Sequence, residues 1–318
     1  MSDKPLISVI IPAFNAASVI IETLESVRSQ TFQNFEAIIV DDGSADDTIA
    51  VVKRSIGDDP RFRLISRPHA GLSSTRNVAM DHSRGEFIAF LDADDLWFPE
   101  KLSRQLDMFR EDPRVNFSFT NSNHWDGQCD LRLYHRKRPL PCGNVHRQLI
   151  LRNLFNISTV MVRRELILKT GSFDSELPAC EDFDLWLRMA ERGMFVSGAF
   201  EPLARYRIWS GNMSKKKLMM AESLVHVLKK NLAATQHPEL WPLFIRALAR
   251  AQAGVEMCGA RRMIESEPDA VPGAVWRAWT AYPRQIRWLV WYWFVTWPKS
   301  LGGHKLEQMV HRKLIEKW

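Results

Sequence analysis

The chain has 318 residues, with 43 Lys and Arg against 37 Asp and Glu and a formal net charge of +6. At 46% hydrophobic and 25% charged it has a globular composition, which excludes a disordered chain, and its length allows one large domain or two ordinary ones. The charge is localised: Trp276 to Trp318 holds eight basic and two acidic residues, so the first 275 residues sum to zero. That excludes the global basic field of a nucleic-acid binder.

The first half alternates apolar runs with helical periodicity. Leu6–Pro12 is continuously apolar, as in a strand buried on both faces. Ala17–Gln30 has helical spacing, Phe35–Val40 is a second buried run, and a helix is predicted over Asp46–Ile56. A short strand fits Phe62–Ile65, a helix Gly71–Ser83, a strand Phe87–Leu91 and a helix Pro99–Arg110, with Pro in its first turn. This order predicts an α/β fold with a parallel, doubly wound sheet. Residues 115–210 are mixed, with strands near Val115–Asn121 and Ile157–Val162 and helices near Val145–Asn153 and Asp182–Arg192. From about Lys215 the pattern is helical, with breaks at Pro238, Pro268, Pro272, Pro283 and Pro298. The expected division is therefore 1–214 and a helical region 215–318.

That last region is unusual. Trp276 to Trp318 carries seven of the twelve Trp together with the whole net charge. Trp flanked by Arg and Lys fits a helix lying on a membrane surface. The alternatives are burial in a core or an interface between copies of the chain, and base stacking, which the neutral body disfavours. No window reaches the roughly 18–20 apolar residues that span a bilayer. Four Cys with no close pair (Cys129, Cys142, Cys180, Cys258) fit a reduced, cytoplasmic protein.

Two acidic clusters directly follow predicted strands, at the edge where open α/β sheets bind ligands. Val40-Asp41-Asp42-Gly43-Ser44 offers a carboxylate to base N–H or ribose hydroxyls, although Asp and Gly are also ordinary turn residues. In Phe90-Leu91-Asp92-Ala93-Asp94-Asp95, three carboxylates within four residues repel one another, which a divalent Mg2+ or Mn2+ ion would offset. Gly71-Leu72-Ser73-Ser74-Thr75-Arg76-Asn77 opens a helix whose N-terminus suits an anion, with Arg76 one turn in. In Glu181-Asp182-Phe183-Asp184-Leu185-Trp186, acids complement a helix dipole, and a base on a rigid helix would suit proton abstraction.

Together with Pro12-Ala13-Phe14-Asn15 at the exit of the first strand, these five motifs, in this order, resemble the family 2 inverting glycosyltransferases of GT-A fold. The resemblance covers about residues 6–210. It implies a mixed, mainly parallel sheet flanked by helices, here with a helical C-terminal extension. It also implies a nucleotide-diphosphate sugar donor, a UDP-sugar foremost, and a glycan or lipid-linked acceptor. Carried over, Asp42 would bind the nucleobase beside Pro12, Ala13 and Phe14, with Asn15 next to them, and Arg76 would contact the nucleotide. Asp92 and Ala93 would meet the ribose or sugar, and Asp94, with Asp95, would ligate the metal. Asp182 would be the general base, with Glu181 beside it. Arg207 and Ser210, in Tyr206–Ser214, are candidates for a loop over the diphosphate.

Gln285-Ile286-Arg287-Trp288 falls one residue short of the Gln-x-x-Arg-Trp motif of processive synthases and is read as chance. The expected enzyme is non-processive, metal-dependent and peripheral at the inner face of the cytoplasmic membrane. A polyprenyl-phosphate glycosyltransferase and a catalytically silent nucleotide-sugar or glycan-binding module are the alternatives.

Overall fold

The computed structural model describes residues 4–266 and 271–282. In chain order the elements are β1 (Ile7–Ala13), α1 (Ile20–Arg28), β2 (Phe35–Asp41), α2 (Thr48–Ile56), β3 (Phe62–Ser66), α3 (Leu72–Asp81), β4 (Phe87–Phe90), β5 (Leu96–Trp97), α4 (Lys101–Glu111), β6 (Phe117–Trp125), β7 (Asp130–Leu133), α5 (His146–Leu151), β8 (Val160–Arg163), α6 (Arg164–Thr170), α7 (Glu181–Glu191), β9 (Val196–Arg207), α8 (Lys217–Ala234), α9 (Trp241–Ser266) and α10 (Val271–Ala281).

The strands form one sheet in the order β3-β2-β1-β4-β8-β6-β9-β5, with β7 on β6. Pairings β3–β2, β2–β1, β1–β4 and β6–β9 are parallel, whereas β4–β8, β8–β6, β9–β5 and β6–β7 are antiparallel. The chain runs outward from β1 through β2 to β3 and returns to β4 on the other side of β1, which creates the crevice at the carboxyl ends of β1, β2 and β4 where ligands bind in such sheets.

The strands read as continuous apolar runs because both faces are covered. Ile7, Val9 and Ile11 pack with Ile20, Leu24, Leu102 and Leu106 under α1 and α4. Ile10, Ile38 and Val40 point the other way, into a cluster with Met80, Leu149, Leu166 and Trp186 from α3, α5, α6 and α7. That second cluster continues past β9: Val227 and Leu228 of α8, and Phe244, Ala247 and Ala251 of α9, are buried in it. The end of α9 and α10 close on a smaller cluster of Ala253, Met257, Ala260, Val271, Ala274, Val275 and Ala278.

Several elements differ from expectation. The edge of the sheet is not wholly parallel, and β9, twelve residues long, has no counterpart in the sequence reading. Gly198 and Pro202 hid it. A Cβ on Gly198 would lie 2.5 Å from the Phe119 ring, so glycine is what lets β9 pass over that ring. Pro202 sits at a register shift opposite Asn121. Pro272 does not break a helix but lies in the first turn of α10, where its missing N–H costs nothing. Of the Trp-rich stretch, Trp276 and Trp279 stack on α10 with ring centroids 5.0 Å apart, and Arg277 pairs with Glu256 at 3.1 Å. The remainder, including residues 285–288, lies outside the described residues, as do the expected breaks at Pro268, Pro283 and Pro298. Among the described residues no helix is long and apolar enough to cross a membrane.

Candidate active site

A cavity of about 650 Å³ opens at the carboxyl ends of β1 and β2, and Pro12, Ala13, Phe14 and Asp42 line one side of it. Glu181, from the start of α7, lies on its wall, as do Ser73 at the N-terminus of α3 and Lys216 just before α8. The strand exits are tied together. The Asp42 N–H donates to the Ala13 carbonyl at 2.9 Å. Asn15, in left-handed backbone at φ 48°, accepts from Ala45 N–H at 2.8 Å. Asn15 therefore fixes the loop after β2 and does not line the cavity. Asp42 is nearly buried, and its carboxylate accepts from Ala70 N–H at 3.0 Å and Gly71 N–H at 2.8 Å, with His69 Nδ1 at 2.9 Å. His69 in turn stacks on the exposed Phe14 at 4.6 Å. The sequence reading missed His69 and Lys216. The signals present were a His two residues before the Gly of the third motif and a run of three Lys.

The acidic turn after β4 divides its three carboxylates. Asp95 is fully buried and accepts from Ser158 Oγ and from Arg207 N–H at 2.9 Å, so both its oxygens serve the loop. Burial and the charges of Asp94 and Asp92 push its carboxyl well above the usual range. Asp94 is partly exposed; one oxygen accepts from the Trp209 indole N–H at 2.9 Å. Burial and Asp92 raise its carboxyl, against the donors Trp209 and Arg207. Asp92 gives one oxygen to Arg76 at 2.7 Å. Among the described residues, Asp92 and Asp94 each retain a second oxygen with no donor from another residue. No group of three or more His, Cys, Asp or Glu side chains is arranged as a metal cage among the described residues. Two carboxylates with an oxygen apiece are nevertheless the donor set that Mg2+ or Mn2+ takes when water and phosphate fill the rest, so the residues fit such an ion. Ala93 is buried, and its carbonyl accepts from Thr23 Oγ1 at 2.8 Å.

Arg76 is not on the cavity surface. Its guanidinium is buried, donating to Asp92 at 2.7 Å and to Glu181 at 2.5 Å, and it lies 5.4 Å from the Phe173 ring centroid. Burial alone would lower its pKa, but the two carboxylates outweigh it and raise it. Arg76 therefore joins the acidic turn to the start of α7.

The helix α7 is held rigidly. Trp186 is fully buried, edge-on to Phe117 at 5.1 Å and to Phe90 at 5.9 Å. Asp184, also fully buried, accepts from Arg188 at 2.8 Å, Lys230 at 3.0 Å and Asn231 at 3.0 Å, which ties α7 to α8. Cys180 precedes the helix in left-handed backbone at φ 60°, a conformation costing about 1–3 kcal/mol outside glycine. Burial and the adjacent acids push its thiol to about 12, so it is no nucleophile at neutral pH. Asp182 is in the first turn, partly exposed, accepting from Asn153 Nδ2 at 3.1 Å and from Phe183 N–H at 2.6 Å. Burial and Glu181 raise its carboxyl to about 7, against Arg76 and these two donors. A carboxylate of that basicity is suited to accept a proton near neutral pH. Tyr134, on the exposed side of the site, is pushed to about 12, first by desolvation and then by the Asp182 charge.

The segment after β9 closes the acidic side. Arg207 donates to the Asp94 carbonyl at 2.9 Å and pairs with Glu22 at 2.7 Å over the Trp125 ring, so it braces the turn and does not face the cavity. Ser210 is exposed and, among the described residues, makes no hydrogen bond to the other site residues, whereas Trp209 reaches Asp94. A Cβ on Gly211 would lie 2.3 Å from the Trp209 indole, so glycine permits that placement. Trp209 stood within the motif noted in the sequence, but nothing there marked its partner.

Residues 8–167, about half of the chain, match the family model described as Glycosyl transferase family 2. The chain belongs to glycosyl transferase family 2. This glycosyltransferase is 32% identical over 231 residues to a Bacillus subtilis chain assigned to teichuronic acid biosynthesis as the glycosyltransferase TuaG, spanning 71% of its own length and 88% of the relative's. It is 29% identical over 231 residues to an Escherichia coli chondroitin synthase, of which it spans only 33%. Among solved structures, it superposes on the 1–349 portion of S. aureus TarS with UDP-GlcNAc at TM-score 0.64 and 17% identity, covering 96% of this chain and 91% of that one. A Pyrobaculum calidifontis mannosyltransferase with GDP-Man and Mn2+ gives TM-score 0.61 and 21% identity, covering 88% and 76%. The family 2 chain thus has the GT-A fold.

Proposed function

We propose that this family 2 enzyme transfers one sugar from a nucleotide-diphosphate donor, a UDP-sugar foremost, to a hydroxyl of a glycan or lipid-linked acceptor, inverting the anomeric centre. The observation that carries this reading is that a single cavity has the β1 and β2 exits on one side and the start of the Asp182 helix on the other. UDP, UDP-GlcNAc and GDP-Man in the structural neighbours support a nucleotide-sugar donor. Relatives named for teichuronic acid and chondroitin support a role in surface polysaccharide synthesis.

In this reading the nucleotide lies against Pro12, Ala13 and Phe14, with Asp42 and His69 at the base edge. Lys216 and the N-terminus of α3 supply positive potential for the diphosphate. Asp94, beside Asp92, would hold a divalent ion, which when bound would neutralise charge on the leaving diphosphate. Asp95 keeps the turn in shape from behind. Asp182, held by Asn153 and Phe183 N–H, removes the proton of the attacking hydroxyl, and Arg76 limits how far its basicity rises. One displacement needs no covalent intermediate. The basic, Trp-rich end would hold the enzyme at the anionic cytoplasmic face of a membrane, each basic residue contributing on the order of 1 kcal/mol.

Incubation with a panel of nucleotide sugars and Mn2+ tests this function. Metal-dependent release of nucleotide from one donor, with an inverted anomeric centre in the product, is expected. Binding of donor with no release from any of them would instead indicate a silent binding module.

A further inference from the structure

A second cavity, of about 300 Å³, lies where α5 packs on α9, and among the described residues its lining includes Gln148, Arg152, Arg246, Arg250 and Tyr282 but no carboxylate. Arg246 and Arg250 are four residues apart on α9, so they project from one face of the helix. That face is fixed because Phe244, Ala247 and Ala251 are buried in the main core. Arg152 closes α5, whose Leu149 and Ile150 are buried in the same core. None of the three arginines has a carboxylate partner among the described residues, although Arg61, Arg76, Arg84, Arg163, Arg188 and Arg205 all do. All three arginines are exposed, so their guanidinium groups are open to a ligand from solvent, and guanidinium groups bind oxyanions by paired, charge-assisted hydrogen bonds.

The groove lies beside the base and apart from the donor cavity. Asn153, the next residue after Arg152, is the one that donates to Asp182 at 3.1 Å. The Tyr134 hydroxyl feels both the Asp182 charge and the opposing Arg152 charge. None of the three arginines lines the donor cavity.

We infer that Arg152, Arg246 and Arg250 form a phosphate-binding site next to Asp182 that receives the phosphate or diphosphate of the acceptor. The inference rests on the reading of Asp182 as the base that faces the acceptor. The shared chemistry is a phosphate oxyanion, which a lipid-linked acceptor or an anionic phospholipid headgroup can both present.

The test uses the full chain with UDP and Mn2+ filling the donor cavity. Geranyl diphosphate is titrated calorimetrically, and co-sedimentation is measured with vesicles of phosphatidylcholine containing phosphatidylglycerol. Each single Arg→Gln change is expected to weaken geranyl diphosphate binding roughly 5-fold and the triple change at least roughly 50-fold. The triple Arg→Lys variant should retain most of the binding, which separates charge from misfolding. Loss of diphosphate binding with vesicle binding intact assigns the site to the acceptor. Loss of vesicle binding alone keeps the phosphate site and overturns the acceptor as its source. Unchanged binding of both probes in the triple Arg→Gln variant, or no binding of either by the wild type, overturns the site. Donor hydrolysis by the wild-type chain is measured in parallel. If it is absent while the diphosphate still binds, the glycosyl-transfer reading fails and the site stands.

Discussion

Replacing Asp182 with Asn separates the chemistry of this carboxylate from its contribution to stability. The carboxyl stands at about 7, against an ordinary 3.8, and each unit corresponds to about 1.36 kcal/mol. Above neutral pH the folded chain therefore spends roughly 2–4 kcal/mol holding a charge in that position, after allowance for its partial exposure. The sign follows from proton binding. A raised carboxyl favours the native state below its unfolded value, and that advantage is lost as pH rises toward 7. Asn keeps an oxygen for the Phe183 N–H and carries no charge, so at pH 8 the variant should resist urea better than the wild type by up to that amount. Its transfer rate should fall roughly 10²–10⁴-fold. The wild-type rate should climb with pH to a plateau through about 7, a titration the variant lacks. Urea titrations at pH 5 and pH 8, with initial rates across pH 5.5–8.5, check all three. Turnover within tenfold of wild type, or a wild-type rate flat across that range, would refute the assignment.

Other outcomes follow from the same contacts. Arg76→Gln removes the cation shared by Asp92 and Glu181 and should cost about 3–5 kcal/mol in a denaturant melt. Because Arg76 holds the Asp182 carboxyl down, the same variant should move the rate midpoint to higher pH. Asp94→Ala should weaken Mn2+-dependent donor binding at least roughly tenfold while metal-free UDP binding persists, as read by titrating Mn2+ against UDP affinity. Asp184→Ala removes the buried acceptor shared by Arg188, Lys230 and Asn231, while Lys230 keeps Asp174 at 2.6 Å, and should lower stability by about 1–3 kcal/mol. If that variant melts like wild type, α8 is not anchored as described.

The parts legible in the sequence were those written locally. The apolar runs of β1, β2 and β4, each buried on both faces, and the acidic residues that end them could be read without knowing their neighbours. Asp182 could be placed at the start of a helix because Phe183, Leu185 and Trp186 supply its inward face. What could not be read was decided by distant partners. Asp94 and Asp95 are adjacent, yet one borders the site and the other is enclosed, because Ser158 and Arg207 come from 63 and 112 residues away. Arg76 looks like an anion ligand until Glu181, 105 residues on, takes one side of its guanidinium. The strand β9 was hidden by a glycine and a proline whose purpose is visible only beside Phe119 and β6.

The Asp184 contacts to Lys230 and Asn231 bear on how such enzymes are recombined. Helix α7 is joined to α8 by charge and to α8 and α9 by a shared apolar face, although the family match ends at residue 167. A chimera that exchanges only the C-terminal helices between relatives would strand Asp184 beside mismatched neighbours and disturb the residue two positions before it. Grafts aimed at new acceptors should therefore take α7 together with α8 and α9, leaving the donor half and its acidic turn to be inherited separately.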